Sequence, residues 1–506
     1  MNDTTRAALA RAAVTMLRPV RVMLLRSPAT IRAGLGTGIP LEATLTRLGE
    51  WRLATAYERA RRTVPAYRTL ARESGARLRW DGWKPDFSAL PVTDKPNYVQ
   101  RFSIEERCQG GRLPDRGVTV DESSGTSGMP NNWVRGAEER ADMRAMIQAT
   151  GRVLLGDEPI FVINAFALGP WATGMAISMS LADGAIVKST GPEIGKIQNT
   201  LNLFGPRYRY LICGYPPFLK RLVDAGGVDW QSLNTMAFCG GEGMSEGLRA
   251  YLERSIGKVY SSFGASDLEI NVAAENDFTV ELRRQLLENE TLGKTLELPD
   301  RGMAPMVFQY NPLDYFIETN DEGEIIVSVT RPETVSPKLR YNIHDLGAVR
   351  TNARVLDAVR KSGGSSLLAS RGRLPLPFLF LWGRSDSTVA FYGCNVTPAS
   401  LEEVTFSVPA LYERVDSFAL LEGEDAAANK TLAFAFELKE GAEPPEDIET
   451  VRRDTLARLT ELNPDYREAA RIMAPGLEPT IEFHQRGTGP FANYDIRLKR
   501  KYIQQR

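Results

Sequence analysis

The sequence predicts an α/β protein: a large N-terminal multi-layer α/β domain with parallel sheet content, then a small C-terminal α+β domain. Three observations carry this. From about residue 158, short apolar runs alternate with segments of helical spacing, the rhythm of strands joined by crossover helices. Between 306 and 331, two apolar runs flank the turn Asn320-Asp321-Glu322-Gly323, which reads as antiparallel pairing. After Arg384 the pattern shifts to short strands around a single helix. The boundary is expected there, giving a large domain over 1–383, with a helical part in 1–100, and a small one over 384–506.

Each element has its own signal. Residues 44–75 carry Leu45, Leu48, Trp51, Leu53 and Ala54 at helical spacing, predicting one or two helices. The runs 159–163, 185–187, 210–214 and 235–241 read as strands, and 217–225 and 245–255 as helices following the last two. Gly214 and Gly240-Gly241 then fall at the carboxyl edge of the sheet, where open α/β sheets bind ligands. Residues 361–366 read as a loop with the freedom to move. In the small domain, 389–392, 417–421, 432–438 and 480–483 read as strands. A helix over 448–462 is opened by Pro444-Pro445-Glu446-Asp447.

Composition narrows the function. Lys+Arg number 62 against 63 Asp+Glu, so the basic excess of a nucleic-acid binder is missing. Four widely spaced cysteines with no CxxC pair argue against a zinc site or a disulfide framework and fit a reducing cytoplasm. Two histidines nearly exclude a multi-histidine metal centre. No apolar run has the length of a membrane span. Residues 1–35 hold six arginines against Asp3 alone. A basic surface helix packed on the domain is the preferred reading, with a membrane-surface or transit-like segment as the alternative.

The most informative stretch is Ser123-Ser124-Gly125-Thr126-Ser127-Gly128-Met129-Pro130. Glycines bring backbone close to a ligand, and successive N–H groups with hydroxyls can wrap polyphosphate oxygens. It lacks the Gly-Lys-Ser/Thr ending of a Walker loop and the closing glycine of a nucleophile elbow. Downstream come Phe263-Gly264-Ala265-Ser266-Asp267, Tyr341-Asn342-Ile343-His344-Asp345-Leu346-Gly347, Gly383-Arg384-Ser385-Asp386, Gly393-Cys394-Asn395-Val396-Thr397-Pro398 and Leu401-Glu402-Glu403. Taken in order, these motifs resemble the adenylate-forming superfamily of acyl-CoA synthetases, peptide-synthetase adenylation domains and luciferases. Val64-Pro65-Ala66-Tyr67-Arg68, Pro91-Val92-Thr93-Asp94-Lys95 and Gly240-Gly241-Glu242 are most similar to the phenylacetate–CoA ligase branch. The likeness spans roughly 50 to 500.

The resemblance implies that ATP and a carboxylic acid, aryl or fatty, form an acyl-adenylate and pyrophosphate. The acyl group then passes to a thiol, with coenzyme A first, an acyl carrier protein second and an amine third. Ser123, Ser124, Gly125, Thr126, Ser127 and Gly128 would hold the β- and γ-phosphates. Gly240, Gly241 and Glu242 would line the purine pocket, with Phe263 stacked on adenine and Gly264 and Ser266 beside it. Asp345 would accept the ribose hydroxyls, and His344 would support its turn. Asp267 stands where relatives carry a Glu that binds Mg²⁺, and Glu269 is the substitute. Arg384 would reach the ribose or α-phosphate, and Asp386 would be the hinge of a mobile small domain.

Relatives place a catalytic lysine near the chain end. Here the direct count lands on Asp495, Lys499 is preferred, and Arg497 is second. Phe166, Trp171, Gly214 and Tyr215 would frame the acid, since aromatic walls suit a flat apolar group. Met129 and Pro130, in place of a loop lysine, and Asp267, in place of Glu, keep open a catalytically degraded, nucleotide-binding relative. Which acid is used and the oligomeric state, a homodimer among the options, stay open.

Overall fold

The computed structural model describes residues 2–505 apart from 27–40, 123–130, 170–171, 302–303, 369–372, 385–388, 392–393, 425–429, 464–465, 468–469, 471–477 and 493–501. The chain opens with the helix Asp3–Arg26, which packs on the helix Leu41–Thr63 and buries Ala10 in the core there. The preferred reading of a packed basic helix therefore holds for its described part. A third helix, Pro65–Ser74, starts on Pro65, where a missing N–H costs nothing, and ends at Gly75 in the left-handed region. Two hairpins follow, β1 (Arg79–Asp81) with β2 (Lys84–Asp86), and β3 (Val118–Glu122) with β4 (Asn132–Gly136).

Among the described residues the main sheet has eleven strands. In chain order they are β5 (Phe161–Asn164), β6 (Ile186–Ser189), β7 (Arg209–Gly214), β8 (Asn234–Gly240), β9 (Lys258–Phe263), β10 (Ala273–Ala274), β11 (Met306–Tyr310), β12 (Tyr315–Thr319), β13 (Glu324–Val329), β14 (Tyr341–Arg350) and β15 (Phe378–Arg384). Across the sheet the order is β12-β13-β14-β15-β11-β10-β9-β8-β7-β5-β6. The half from β6 to β9 is parallel, and the rest is antiparallel.

Strand alternation divides the core. On β7, Tyr210 and Ile212 face the helices Ile194–Phe204, Pro216–Asp224 and Glu246–Glu253. Leu211 and Cys213 face the helices Ala137–Leu155 and Ala172–Leu181. Two layers also cover the antiparallel half. The N-terminal helices pack on one face, and the helices Asp277–Glu288 and Asn352–Lys361 on the other. The expected loop at 361–366 is in part a tight turn leading into the short helix Ser365–Leu368. Gly364 is packed so closely that an added Cβ would lie 2.8 Å from Val359 Cγ1. The expectation of a free loop there is corrected by that packing.

A separate core holds the small C-terminal unit. The hairpin β16 (Val389–Phe391) with β17 (Cys394–Val396) leads to a mixed four-stranded sheet. Its strands are β18 (Val415–Glu424), β19 (Lys430–Leu438), β20 (Thr480–His484) and β21 (Ile503–Gln505), ordered β20-β19-β18-β21, with the helices Pro398–Ser407 and Ile448–Leu462 against them. Among the described residues no helix is long and apolar enough to cross a membrane. Cys108, Cys213 and Cys239 are buried free thiols.

The two units meet along the helix Glu246–Glu253. Glu402 Oε2 accepts the Ser245 N–H at 2.7 Å, and Glu403 Oε2 accepts the Gly247 N–H at 3.4 Å, so two carboxylates cap this helix from the other unit. Gly247 permits the approach, since a Cβ there would lie 2.8 Å from Phe406 Cβ. Lys220 Nζ bonds the Val415 carbonyl at 3.0 Å, and Tyr502 OH donates to Glu242 Oε2 at 3.1 Å. Burial, with Glu403 and Glu242 nearby, pushes the Glu402 carboxyl up to about 7, and among the described residues no cation pairs with it. Docked, Glu402 retains a proton that it gives up in water. The contribution of that proton to docking is full below the ordinary carboxylate range and is lost as the pH rises to about 7, by up to about tenfold per pH unit. Glu402→Gln should remove that dependence. Hydrogen exchange at the Ser245 and Gly247 amides, compared at pH 6 and pH 8, measures it.

Candidate functional site

At the carboxyl edge of the parallel strands, the chain leaves β8 through Gly240-Gly241 and β9 through Gly264. Both turns depend on glycine. Gly241 has φ +84°, and a Cβ on it would lie 2.4 Å from Tyr215 Cε1. A Cβ on Gly264 would lie 2.4 Å from the Ile270 carbonyl carbon. Between these turns and the helices Ala137–Leu155 and Ala172–Leu181 lies an apolar cavity of about 100 Å³. Phe166, Tyr215 and Phe238 wall it with Ile147, Ile177 and Leu211, and Glu122, Thr150, Ser262 and Asn271 add polar groups.

Local bonds hold the aromatic wall. Phe166 and Tyr215 meet edge to face, with centroids 5.1 Å apart. The Phe166 N–H bonds Asn164 Oδ1, whose amide donates to the Gly174 carbonyl at 2.6 Å. That ties β5 to the helix Ala172–Leu181, and Gly174 lets it come close. The structure thus brings together Phe166, Tyr215, Gly240, Gly241, Gly264 and Ser266 of the expected site around one cavity. Gly214 sits beside it, with its Cα facing Leu219 and Ala165.

The loop 264–270 folds on itself through Ala265 N–H to the Glu269 carbonyl and Leu268 N–H to the Ala265 carbonyl. Asp267, only 7% exposed, accepts from Tyr341 OH at 3.0 Å and pairs with Lys95 Nζ at 3.4 Å. Lys95 arrives there because Thr93 bonds main chain to main chain with Arg340 and Asn342, and Asp94 caps the short helix Lys95–Val99. Burial and the Asp267 carboxylate push the Tyr341 hydroxyl well above its ordinary range, so it stays a donor.

Glu269 is not free to substitute for Asp267 as a metal ligand. It is buried, ion-paired with Arg331 and hydrogen-bonded by Tyr315 OH. Both oxygens of Glu269 are engaged, whereas the Tyr341 and Lys95 contacts of Asp267 fall on Oδ2, so Asp267 Oδ1 is the carboxylate oxygen of this loop left for a cation. One carboxylate fits Mg²⁺, which takes its other oxygens from water and substrate phosphates.

Phe263 is also corrected. On β9 successive side chains point to opposite faces, so Ser262 lines the cavity while Phe263 turns away. It is 7% exposed and packs near Phe308, so it is a core ring and not one offered to adenine.

Asp345 lies half-buried on β14, its Cα in register with that of Arg384 on β15. His344 before it has φ +62°. Its N–H bonds Asn342 Oδ1 at 2.8 Å and its ring meets Glu324 Oε1 at 3.1 Å. Glu242 is held by Tyr502. Ser123 to Gly128, Trp171, Asp386, Asp495, Arg497 and Lys499 lie outside the described residues.

No protein-family model matches the chain, and no curated protein sequence matches it. Solved structures do. A 2-hydroxyisobutyryl-CoA ligase in the postadenylation state, in complex with 2-HIB-AMP, superposes with a TM-score of 0.63 at 15% identity, covering 91% of this chain and 90% of that one. The chain shares the fold of that ligase. The same ligase with 2-HIB-AMP and CoA in the thioesterification state gives 0.50 at 16% identity, covering 92% of this chain and 90% of that one. This shared fold comprises a large N-terminal sheet domain and a small C-terminal mixed sheet, as expected from the sequence.

Some site residues escaped the sequence reading. Lys95 and Tyr341 were visible only as members of motifs, since nothing local says that they converge on Asp267. Arg135, a lone cation in the apolar strand Trp133-Val134-Arg135, was the one detectable signal. Gly241→Ala should cost about 1–3 kcal/mol through overpacking against Tyr215. Urea denaturation of the single and double variants tests this. Tyr215→Ala should return part of the loss, leaving the penalty for positive φ.

Proposed function

We propose that this chain is an AMP-forming acid–thiol ligase. The observation that carries the reading is the apolar cavity at the carboxyl edge, walled by Gly240-Gly241 and by the loop that holds Asp267. The adenylate-forming fold supports it. A carboxylate oxygen of the acid attacks the α-phosphorus of ATP, the α–β phosphoanhydride breaks, and pyrophosphate leaves. A thiolate then attacks the acyl carbon and releases AMP, the thiol proton passing to solvent. Coenzyme A is the first choice of thiol, on the strings that resemble the phenylacetate–CoA ligase branch. A carrier protein or an amine is the alternative acceptor.

The chain's own residues have separate tasks. Phe166, Tyr215 and the deeper aliphatic lining desolvate the acid's apolar part and direct its carboxylate outward. The backbone at Gly240, Gly241 and Glu242 borders the purine, Asp345 accepts from the ribose, and Arg384 neutralises phosphate charge. Ser123 to Gly128 embrace the β- and γ-phosphates, Lys499 the α-phosphate, and Asp386 is the pivot. Asp267 would hold Mg²⁺, which offsets phosphate charge when bound. A cavity of about 100 Å³ favours a compact acid, aryl or short and branched, over a long fatty chain. Its size is near that of the roughly 150 Å³ apolar cavity that accommodates benzene.

Pyrophosphate release with ATP, CoA and a panel of aryl, branched and long-chain acids is the test. Release with a compact acid is expected, and none with any acid would overturn the reading. Asp345→Ala should raise the KM for ATP about tenfold or more, because a buried polar contact loses one partner. Lys499→Ala should stop adenylate formation yet still consume supplied acyl-adenylate. That pattern in Arg497→Ala instead would move the role.

A further inference from the structure

Arg135 is a buried cation that the proposed chemistry leaves unused. Its side chain is 4% exposed, and it sits on β4, paired with β3. Its Nε donates to Asp121 Oδ2 at 3.2 Å, and Nη1 reaches Glu139 Oε1 at 3.3 Å. The same guanidinium donates to two main-chain carbonyls of the loop 264–270, Nη1 to Leu268 and Nη2 to Ser266. Those are the residues on either side of Asp267. One rigid fork therefore grips the backbone before and after this carboxylate, and fastens it to the β3–β4 hairpin through Asp121. A lysine has one nitrogen on a flexible stem and cannot span these acceptors.

We propose that Arg135 is the positioning residue for Asp267, fixing the backbone that aims its carboxylate at a metal–nucleotide complex. The proposal rests on the adenylation reading. All three guanidinium nitrogens of Arg135 donate to protein acceptors, two of them main-chain carbonyls flanking Asp267, so it acts by positioning that backbone. Lys95 and Tyr341 hold the carboxylate itself, and Arg135 holds the main chain beneath it. A misplacement of the order of 1 Å at such a site can cost about a hundredfold in rate.

The test uses the full chain with Arg135→Lys, Asp121→Asn and, as a control, Lys338→Met. Lys338 Nζ lies 3.6 Å from Glu139 Oε1 in the same buried charge network and, unlike Arg135, makes no hydrogen bond to the loop's main chain. Three readouts apply: hydrogen exchange at the Ala265 and Leu268 amides, binding of Mn²⁺ in the presence of ATP, and the split of kcat from the KM of the acid. Arg135→Lys and Asp121→Asn should exchange faster in the loop, bind Mn²⁺·ATP about tenfold more weakly and lose roughly 10–100-fold in kcat, with the acid's KM unchanged. Lys338→Met should lower the melting temperature and leave the loop exchange and Mn²⁺ affinity at parental values.

Faster exchange with parental Mn²⁺ affinity and kcat would reduce Arg135 to a structural part and overturn the proposal, as would no change at all. If Arg135→Lys does not fold, Asp121→Asn decides by the same readouts. If the parent releases no pyrophosphate with any acid, the adenylation reading falls. Loop exchange and Mn²⁺·ATP binding still decide the role of Arg135.

Discussion

Mutual neutralisation of buried charges decides where the loop 264–270 stands. Arg52 bonds Asp314 Oδ1 at 2.8 Å, Arg331 pairs with Glu269, and Arg135 and Lys338 face Glu139. These residues come from an N-terminal helix, the β4 strand and the helix after it, the loop itself, the turn before β12, and the segment between β13 and β14. None of these ions is tolerable alone away from water. Removing one partner of such a pair typically costs about 3–5 kcal/mol. The two contacts that reach the loop itself, Arg331 on Glu269 and Arg135 on the Ser266 and Leu268 carbonyls, therefore act as a registry device, since the loop has one position in which both are satisfied. Lys338 shows the tension in this arrangement, because burial and Arg135 pull its ammonium down to about 8 despite Glu139 beside it.

The fold and the site were legible in the sequence to different degrees. The strands β5, β7 and β8 announce themselves as apolar runs, because both of their faces are covered by helices. The helices Ala137–Leu155 and Ala172–Leu181 do not. Their lining residues point into a cavity, and Met, Ser, Thr and Gly interrupt their periodicity. The strands β14 and β15 were also missed as strands. The first carries Asn342, His344 and Asp345 on its way along the sheet, and a bulge near Leu346 breaks its alternation.

Motif order brought out Gly240, Gly241, Gly264 and Ser266 because a backbone that must approach something closely excludes side chains, and that exclusion is written in one residue type. Phe263 misled for a related reason. A string of letters fixes neighbours in the chain but not which face of a strand each letter occupies. The convergence of Lys95 and Tyr341 on the Asp267 carboxylate, and of Arg135 on the main chain beside it, was beyond reach, since it depends on contacts across 74 to 172 positions of sequence.

The direction of the sheet changes once, between β9 and β10, and the division has a genetic consequence. Apart from Glu122, every described residue lining the cavity falls between Ile147 and Asn271, within the parallel half, its helices and the loop after β9. Asp345 and Arg384 belong to the antiparallel half. The apolar lining is thus encoded in one uninterrupted stretch. Two crossovers flanking that stretch would transplant an entire lining from a sister gene, leaving the other half of the sheet untouched. A fold arranged in this way can diversify by inheriting blocks as well as by accumulating point changes.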